Sequence, residues 1–562
     1  MSKNKELSAS ASQEKAKLHS GEEWKWNFRF LNLLIITTLF RIIFGALAEL
    51  KYEEAYYWLY SQHLDWSYFD HPPLVGWLVY ISTQLGGNAE IWVRLPTILC
   101  FAGALFFIHR LACDLFGAKT GFITAVLASL LPAFEIYSIF VFPDAPLLLF
   151  WSLVMCVGYR LYEDERPIWW LVIGAATGLA MLAKYPGVLA PLAPILIIAL
   201  KKKYHLFKCW QFYVGIILCW LIFSPVIYWN AQHEWASFLF QGVSRFFEAN
   251  SWLDIFGGSL LNIAALPTPF GLLLLFWVGW QSCKRIKDER WLYLVCAFLP
   301  FAIIVAAVAL VRLVQLNWPL PVYPALIIAT AALLEELKAW YSRKWQFILG
   351  AVFVPALLIS LIPWIAIFFN LTPLNRFNEI YGWKNMGQTV LEIVSANYNN
   401  GQCFLAGHGY QTASEVAYYT KLPQLTIAEN LYGERSKGFD YWSKKGDFKG
   451  WNCVYVVAEE LHSDGKYRPR DPFNLAQLKR YFTSVDTTGN RLTVFRGGSP
   501  VRRYKFYYCI NYKGIPNLQG ELAGEDVLEK IGLDVDDDLH QNEAQSTSNK
   551  VNSPAAQGNE VK

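Results

Sequence analysis

Long apolar runs constrain this chain more than any other feature. They lie at roughly 28–48, 91–109, 119–134, 144–162, 168–183, 186–200, 211–229, 259–280, 292–311, 319–334 and 346–370. A bilayer crossing needs about 20 apolar residues as a helix. The alternating segments of about ten residues that mark a membrane barrel do not occur. Helices are therefore expected, because backbone groups in lipid must be satisfied within the segment. Charged residues make up only 17% of the chain, which excludes a purely soluble globular protein. The expected fold is an α-helical polytopic membrane protein with about eleven spans, or up to thirteen if the runs around Pro132–Pro143 and Lys184–Pro186 divide differently.

Loop charge tests that division. If the N-terminus is cytosolic, the inside loops hold Arg110 and Lys119; Arg160 and Arg166; Lys201, Lys202, Lys203 and Lys208; Lys284, Arg285, Lys287 and Arg290; and Lys338, Arg343 and Lys344. The opposite loops are nearly bare of cations, with Lys51, Lys184, Arg245 and Arg312 the main exceptions. The positive-inside rule then places the N-terminus in the cytosol and the region after residue 370 outside. Residues 1–27 are polar and lack the apolar core of a signal peptide, so they read as a cytosolic tail. Residues 371–519 have the composition of a soluble α/β domain, with strands expected near 402–406, 452–457 and 492–496 and helices near 383–398 and 473–482. Its Cys403, Cys453 and Cys509 leave room for one disulfide in an oxidising compartment. Residues 520–562 are acidic, then rich in Ser, Asn and Gln, and are expected to be disordered. The formal net charge of +4 is too small to point to nucleic acid.

The first outside loop, 49–90, carries the densest chemistry: Glu53-Glu54-Ala55-Tyr56-Tyr57-Trp58, then Asp70-His71-Pro72-Pro73. Neighbouring carboxylates among aromatic rings raise one another's proton affinity, as a general acid or base requires. An ordinary amphipathic interfacial helix with an aromatic belt explains the same residues. Asp144 opens an apolar run and reads either as a site acid or as a helix cap. Lys184, Arg245 and Arg312 are scarce outside cations that either snorkel to headgroups or bind an anionic amphiphile such as a lipid-linked phosphate. Arg94 reads as facing the interior or ending a juxtamembrane helix. Nucleotide-binding, zinc-protease and serine-hydrolase motifs are absent from suitable contexts, so an activated substrate would have to arrive through the membrane.

The segment 53–80, with 142–151, 182–187, 225–241 and 317–326, resembles the GT-C membrane glycosyltransferases. Its nearest likeness is to the polyprenyl-phosphate-sugar branch that includes protein O-mannosyltransferases and the lipid A aminoarabinose transferases. The resemblance covers about 30–370 and implies a helical transferase domain at 28–370, with the external domain matching only in position. It implies a polyprenyl-phosphate (undecaprenyl- or dolichyl-phosphate) sugar donor, a glycolipid or protein acceptor, and a site on the periplasmic or luminal face of a multi-pass protein. The bacterial inner membrane is the expected location. The family's acidic pair is Asp-Glu; here it is Glu53-Glu54, and the longer leading side chain displaces its carboxylate by about 1.5 Å. Either the site has adjusted, or Glu54 or Asp70 acts as the base. Tyr56, Tyr57 and Asp144 are further site candidates. His71 stands where the lipid A branch has Lys, and with Lys184, Arg245 and Arg312 it is expected to hold the departing phosphate. No redox cofactor is required, and a divalent metal is compatible without being demanded. A transporter or flippase of a lipid-linked sugar is the alternative, against which stands the absence of a paired inverted repeat.

Overall fold

The computed structural model describes residues 2–242, 252–265, 267–369, 380–397, 402–443, 448–462, 466–470, 472–487, 491–496 and 498–514. Arg245 and the segment 520–562 lie outside the described residues. The helical part runs α1 (Ser2–Leu47), α2 (Tyr52–Gln62), α3 (Leu74–Gly86), α4 (Glu90–Phe116), α5 (Ala118–Leu130), α6 (Pro132–Ile139), α7 (Asp144–Asp164) and α8 (Trp169–Ala183). It continues through α9 (Leu192–Leu200), α10 (Trp210–Gln232), α11 (Ala236–Gly242), α12 (Trp252–Ala265), α13 (Pro269–Lys284), α14 (Glu289–Ala309), α15 (Tyr323–Glu336) and α16 (Arg343–Phe369).

The apolar runs reappear as helix where they are described, and among the described residues six helices are long and apolar enough to cross a membrane, or up to eight if each of two bent pairs is one span. The breaks have local causes. Leu131 precedes Pro132 and is extended, so α5 and α6 meet at 73°. Lys184, one residue short of Tyr185-Pro186, is extended and separates α8 from the short helical stretch leading to α9. The run 259–280 turns at Pro267-Thr268, where the Thr268 hydroxyl accepts from the Gly271 amide and caps α13. Hydropathy summed over eleven to thirteen runs does not register these breaks. Rows of exposed apolar side chains on α10 and α16, including Ile217, Leu221, Phe347 and Val354, are what a lipid-facing surface requires. The protein is an integral membrane protein.

All five basic loops are tied to their neighbours at one end of the bundle. Lys119 pairs with Glu335 at 2.6 Å, Arg285 with Glu336 at 3.0 Å, Lys201 with Glu289 at 2.8 Å, Lys203 with Glu165 at 2.7 Å and Arg160 with Asp114 at 3.3 Å. Within the bundle, Arg41 of α1 pairs with Glu135 of α6 at 2.8 Å and donates to Ser138 at 2.6 Å, so the buried charge has a partner.

The C-terminal head domain holds α17 (Trp383–Asn397), α18 (Gly409–Thr420), α19 (Phe439–Trp442) and α20 (Leu475–Tyr481). Its strands are β1 (Cys403–Gly407), β2 (Thr426–Ile427), β3 (Asn452–Leu461), β4 (Tyr467–Pro469), β5 (Phe482–Asp486), β6 (Arg491–Arg496) and β7 (Ser499–Tyr512). They form one mixed sheet of order β2-β1-β3-β7-β5, with β4 beside β3 and β6 beside β7. Strands β1, β2 and β3 are parallel, and β7 runs antiparallel to β3. Cys453 and Cys509 face each other across β3 and β7, and with Cys403 they are free thiols. The head is seated on α2: Ala413, Ala417 and Tyr418 of α18 share one buried cluster with Ala55, Tyr56 and Trp58.

Candidate active site

The acidic helix α2 organises the site. Its first turn carries Glu53 and Glu54, which favour the positive end of the helix dipole, and the Lys51 amide donates to Glu54 at 2.9 Å as half of a capping box. Consecutive helical residues point about 100° apart, so the two carboxylates cannot share a destination. Glu54 turns into the protein and meets Arg94 of α4 in a two-point pair, Nε to Oε1 at 2.8 Å and Nη2 to Oε2 at 2.6 Å, with both side chains fully buried. The same guanidinium donates to the carbonyls of Gly45, Ala48 and Glu49, and Glu54 also accepts from the Val141 amide at 3.2 Å. Arg94 thus faces the interior and clamps α1, α2 and α4 together.

Glu53 instead lines a cavity of about 540 Å³ between the bundle and the head. The same cavity is walled by Tyr57, His71, Asp144, Lys184 and Arg312. Five further positions predicted from sequence therefore converge with Glu53 on one space. Asp144 does not cap α7. Its Oδ1 accepts from Lys184 Nζ at 2.8 Å and its Oδ2 from Asn317 Nδ2 at 2.9 Å. Arg312 sits 4.8 Å over the Trp318 ring with 7% of its surface exposed. The proline of Tyr185-Pro186 and the extended backbone at Lys184 bring that amine inward at the end of α8.

Asp70 lies behind the cavity wall and does not line it. Its Oδ1 accepts from the Tyr56 hydroxyl at 3.0 Å and from the Tyr60 hydroxyl, and its Oδ2 is 3.9 Å from Lys437 Nζ. Burial pushes the Asp70 carboxyl up, but Lys437, His71 and the two phenols outweigh it and hold it below the usual carboxylate range. A carboxylate held that way is a weak base. Tyr56 is also walled in, donating to Asp70 and accepting from the Gly438 amide at 3.0 Å. Burial first, then Asp70, Asp144 and Glu53, push the Tyr57 phenol well up, so it stays a protonated donor at the cavity edge.

Two head-domain residues join the site without any signal in the local sequence. Tyr410, at the start of α18, lines the cavity, and Lys437 stacks 3.7 Å from the Tyr410 ring while facing Asp70. Gln241, whose amide donates to the Asp70 carbonyl, lines it as well. Among the described residues no group of three His, Cys, Asp or Glu side chains is arranged to hold a metal ion.

Comparison with known proteins agrees with this architecture. The family model described as dolichyl-phosphate-mannose-protein mannosyltransferase matches residues 70–229, less than half of the chain. The lipid A galacturonosyltransferase RgtD of Rhizobium johnstonii is 25% identical over 311 residues, which is 52% of this chain and 63% of that relative. The crystal structure of ArnT from Cupriavidus metallidurans in the apo state superposes with a TM-score of 0.56 at 16% identity, covering 85% of this chain and 97% of that one. The same enzyme bound to undecaprenyl phosphate gives a TM-score of 0.55 at 15% identity, with the same coverage of both chains. Helical bundle, acidic first loop and capping head domain together identify the chain as carrying the GT-C membrane glycosyltransferase fold.

Proposed function

We propose that this chain transfers a sugar from a polyprenyl-phosphate carrier to the hydroxyl or phosphate of an envelope glycolipid. The observation that carries the reading is a single cavity in which Glu53 faces Lys184, Arg312 and His71. In the transfer, the acceptor oxygen bonds to the anomeric carbon while the bond from that carbon to the carrier phosphate breaks. Polyprenyl phosphate leaves with the bonding electron pair. Glu53 takes the acceptor proton. Lys184, Arg312 and a protonated His71 meet the charge that develops on the departing phosphate, and Asp144 holds Lys184 in place. Asp70 acts at one remove, by orienting Tyr56, Tyr60 and the turn that presents His71. Both events are heterolytic and need no redox cofactor.

The undecaprenyl phosphate bound by ArnT supports the donor class, and the lipid A specificity in the name of RgtD supports a glycolipid rather than a protein acceptor. Clustering of the basic loops at the end of the bundle away from the head supports a cytosolic N-terminus and a periplasmic head in a bacterial inner membrane.

Release of free polyprenyl phosphate from an undecaprenyl-phosphate sugar, measured in the presence of lipid A, tests the reading, because a transporter releases none. Glu53→Gln is expected to cut that release by about a hundredfold or more while leaving thermal stability unchanged. Glu54→Gln, which breaks a buried ion pair, is expected to lower stability by roughly 3–5 kcal/mol. Full turnover in Glu53→Gln removes the proposed base.

A further inference from the structure

Two of the scarce outside cations, Lys184 and Arg312, line the cavity with Glu53. A third, Lys51, does not line it, yet its Nζ lies 3.4 Å from Glu53 Oε2. The same ammonium is 5.2 Å from the Tyr52 ring centroid, within cation–π range. Residues two apart on a helix do not face each other. Lys51 stands just ahead of α2 with an extended backbone, and that departure from the helix lets its side chain turn to Glu53. Its backbone is meanwhile fixed: the carbonyl accepts from the Glu54 and Ala55 amides at 2.8 and 3.1 Å, and the amide donates to Glu54 Oε2. The length of Glu53 matters to the contact. One methylene fewer would withdraw the carboxylate by about 1.5 Å, opening the pair beyond the reach of about 4 Å that defines it.

The charge around Glu53 changes when the donor arrives. Lys184 is already matched by Asp144 at 2.8 Å, and Glu54, next along the chain, by Arg94. Arg312 and His71 answer the carrier phosphate in the transfer proposed above. The phenols of Tyr57, Tyr137 and Tyr410 and the carboxyl of Glu415 also lie in electrostatic reach, and none of them adds positive charge. A phosphate entering the cavity therefore raises the affinity of Glu53 for its proton, against the needs of a base. Lys51, outside the cavity wall, keeps its pairing with Glu53.

We propose that Lys51 is a positioning residue for the transfer: it holds Glu53 Oε2 from outside the cavity, so that the base stays ionised and aimed at the acceptor while the donor phosphate occupies the cations inside. The proposal rests on the transferase reading and adds to it the residue that prepares its base. Lys51 touches neither the carrier phosphate nor the acceptor.

The test measures acceptor kcat/KM against pH at saturating donor, with the full chain in lipid nanodiscs and lipid A as acceptor. Lys51→Met, which keeps the stem and removes the charge, is expected to move the acid limb up by about half a unit to one unit. Lys51→Arg should leave the limb in place, and donor KM should be unchanged in both. Protonation of Glu53 is read separately, without turnover, by mass spectrometry of its labelling with dicyclohexylcarbodiimide, a reagent for protonated carboxyl groups. The pH midpoint of labelling should rise in Lys51→Met as the limb does. In a Glu53→Asp background Lys51→Met should leave the midpoint unmoved, because the shorter acid no longer reaches the lysine. A lower plateau with an unmoved limb would make Lys51 merely structural, and a raised donor KM with an unmoved limb would make it a phosphate ligand. Either result overturns the proposal, as does an unmoved labelling midpoint in Lys51→Met alone. If the wild type releases no polyprenyl phosphate, the transferase reading fails instead, and the labelling midpoint still decides whether Lys51 sets the charge of Glu53.

Discussion

Glu415 lies in α18 with no exposed surface, and neither of its carboxylate oxygens has a hydrogen-bond partner among the described residues. Burial, opposed by Arg502 and reinforced by Glu49, Glu54 and Glu53, raises its pKa well above the ordinary 4.5. The folded state therefore keeps a proton that the unfolded chain gives up, and between the two pKa values stability falls as pH rises, by about 1.4 kcal/mol per pH unit. Below the unfolded value both states are protonated and the penalty vanishes. Glu415→Gln, which cannot ionise, is expected to raise the melting temperature at pH 8, with the gain shrinking to nothing as pH falls towards 4.5. A pH-independent difference between variant and wild type would show that Glu415 is not held neutral. The neighbouring acids show how far single residues are legible in sequence. An acidic pair at Glu53-Glu54 is visible at once, as is its value for proton transfer. Which member faces substrate is not, because the answer depends on Arg94, 40 positions away on another helix. Asp70 carries the same sequence signal as Glu53, yet two phenols and Lys437 enclose it.

At the scale of elements, the placement of Lys184 depends on how α8 packs against α10. Gly174 and Gly178, four residues apart on α8, let the two backbones approach: a Cβ at Gly174 would overlap the Gly215 carbonyl, and one at Gly178 would come within 2.8 Å of the Cys219 carbonyl. Small residues at that spacing are how membrane helices gain close contact. The spacing stands in the sequence, whereas the partner helix does not, since α10 begins 27 positions after α8 ends and nothing local identifies it. Helix breaks were likewise half legible: Pro132 and Pro186 are plain signals, but whether the chain turns or merely kinks there depends on what packs beyond them. Gly174→Ala is expected to force α8 and α10 apart and to cost roughly 1–3 kcal/mol as overpacking. Because Lys184 follows α8 directly, donor KM should rise with it. Gly279→Ala is the control, since its Cβ would meet the Phe298 ring at an ordinary 3.6 Å. A thermal melt in detergent separates the two. Equal stability in both variants would mean that the glycine contact does not set the helix spacing.

At the scale of the whole molecule, the soluble-looking part is not an appendage. Glu49, two residues past the end of α1, accepts from the amides of Trp383 at 2.7 Å and Lys384 at 3.3 Å and so caps α17 from the other domain. The Leu50 amide donates to the Tyr419 hydroxyl at 2.8 Å, and the Tyr418 hydroxyl donates to the Asn88 carbonyl at 2.8 Å. Those contacts join residues 334, 369 and 330 positions apart, so composition could separate two regions and place most head strands without showing that they share a core. A shared core makes a cooperative prediction. Ala417 is fully buried in the cluster that also holds Tyr56 and Trp58 of α2. Ala417→Asp places an unpaired carboxylate there, at a cost on the order of 3–5 kcal/mol. If head and bundle form one folding unit at this seam, hydrogen exchange of the α2 amides should accelerate together with that of α18. Sugar transfer should fall in step, because Glu53 and Tyr410 sit on those two helices. Glu392→Ala, on the exposed face of α17, should change neither. If exchange quickens in the head alone while α2 keeps its protection, the acidic helix is held by the bundle through Arg94, and the head is a separable cover.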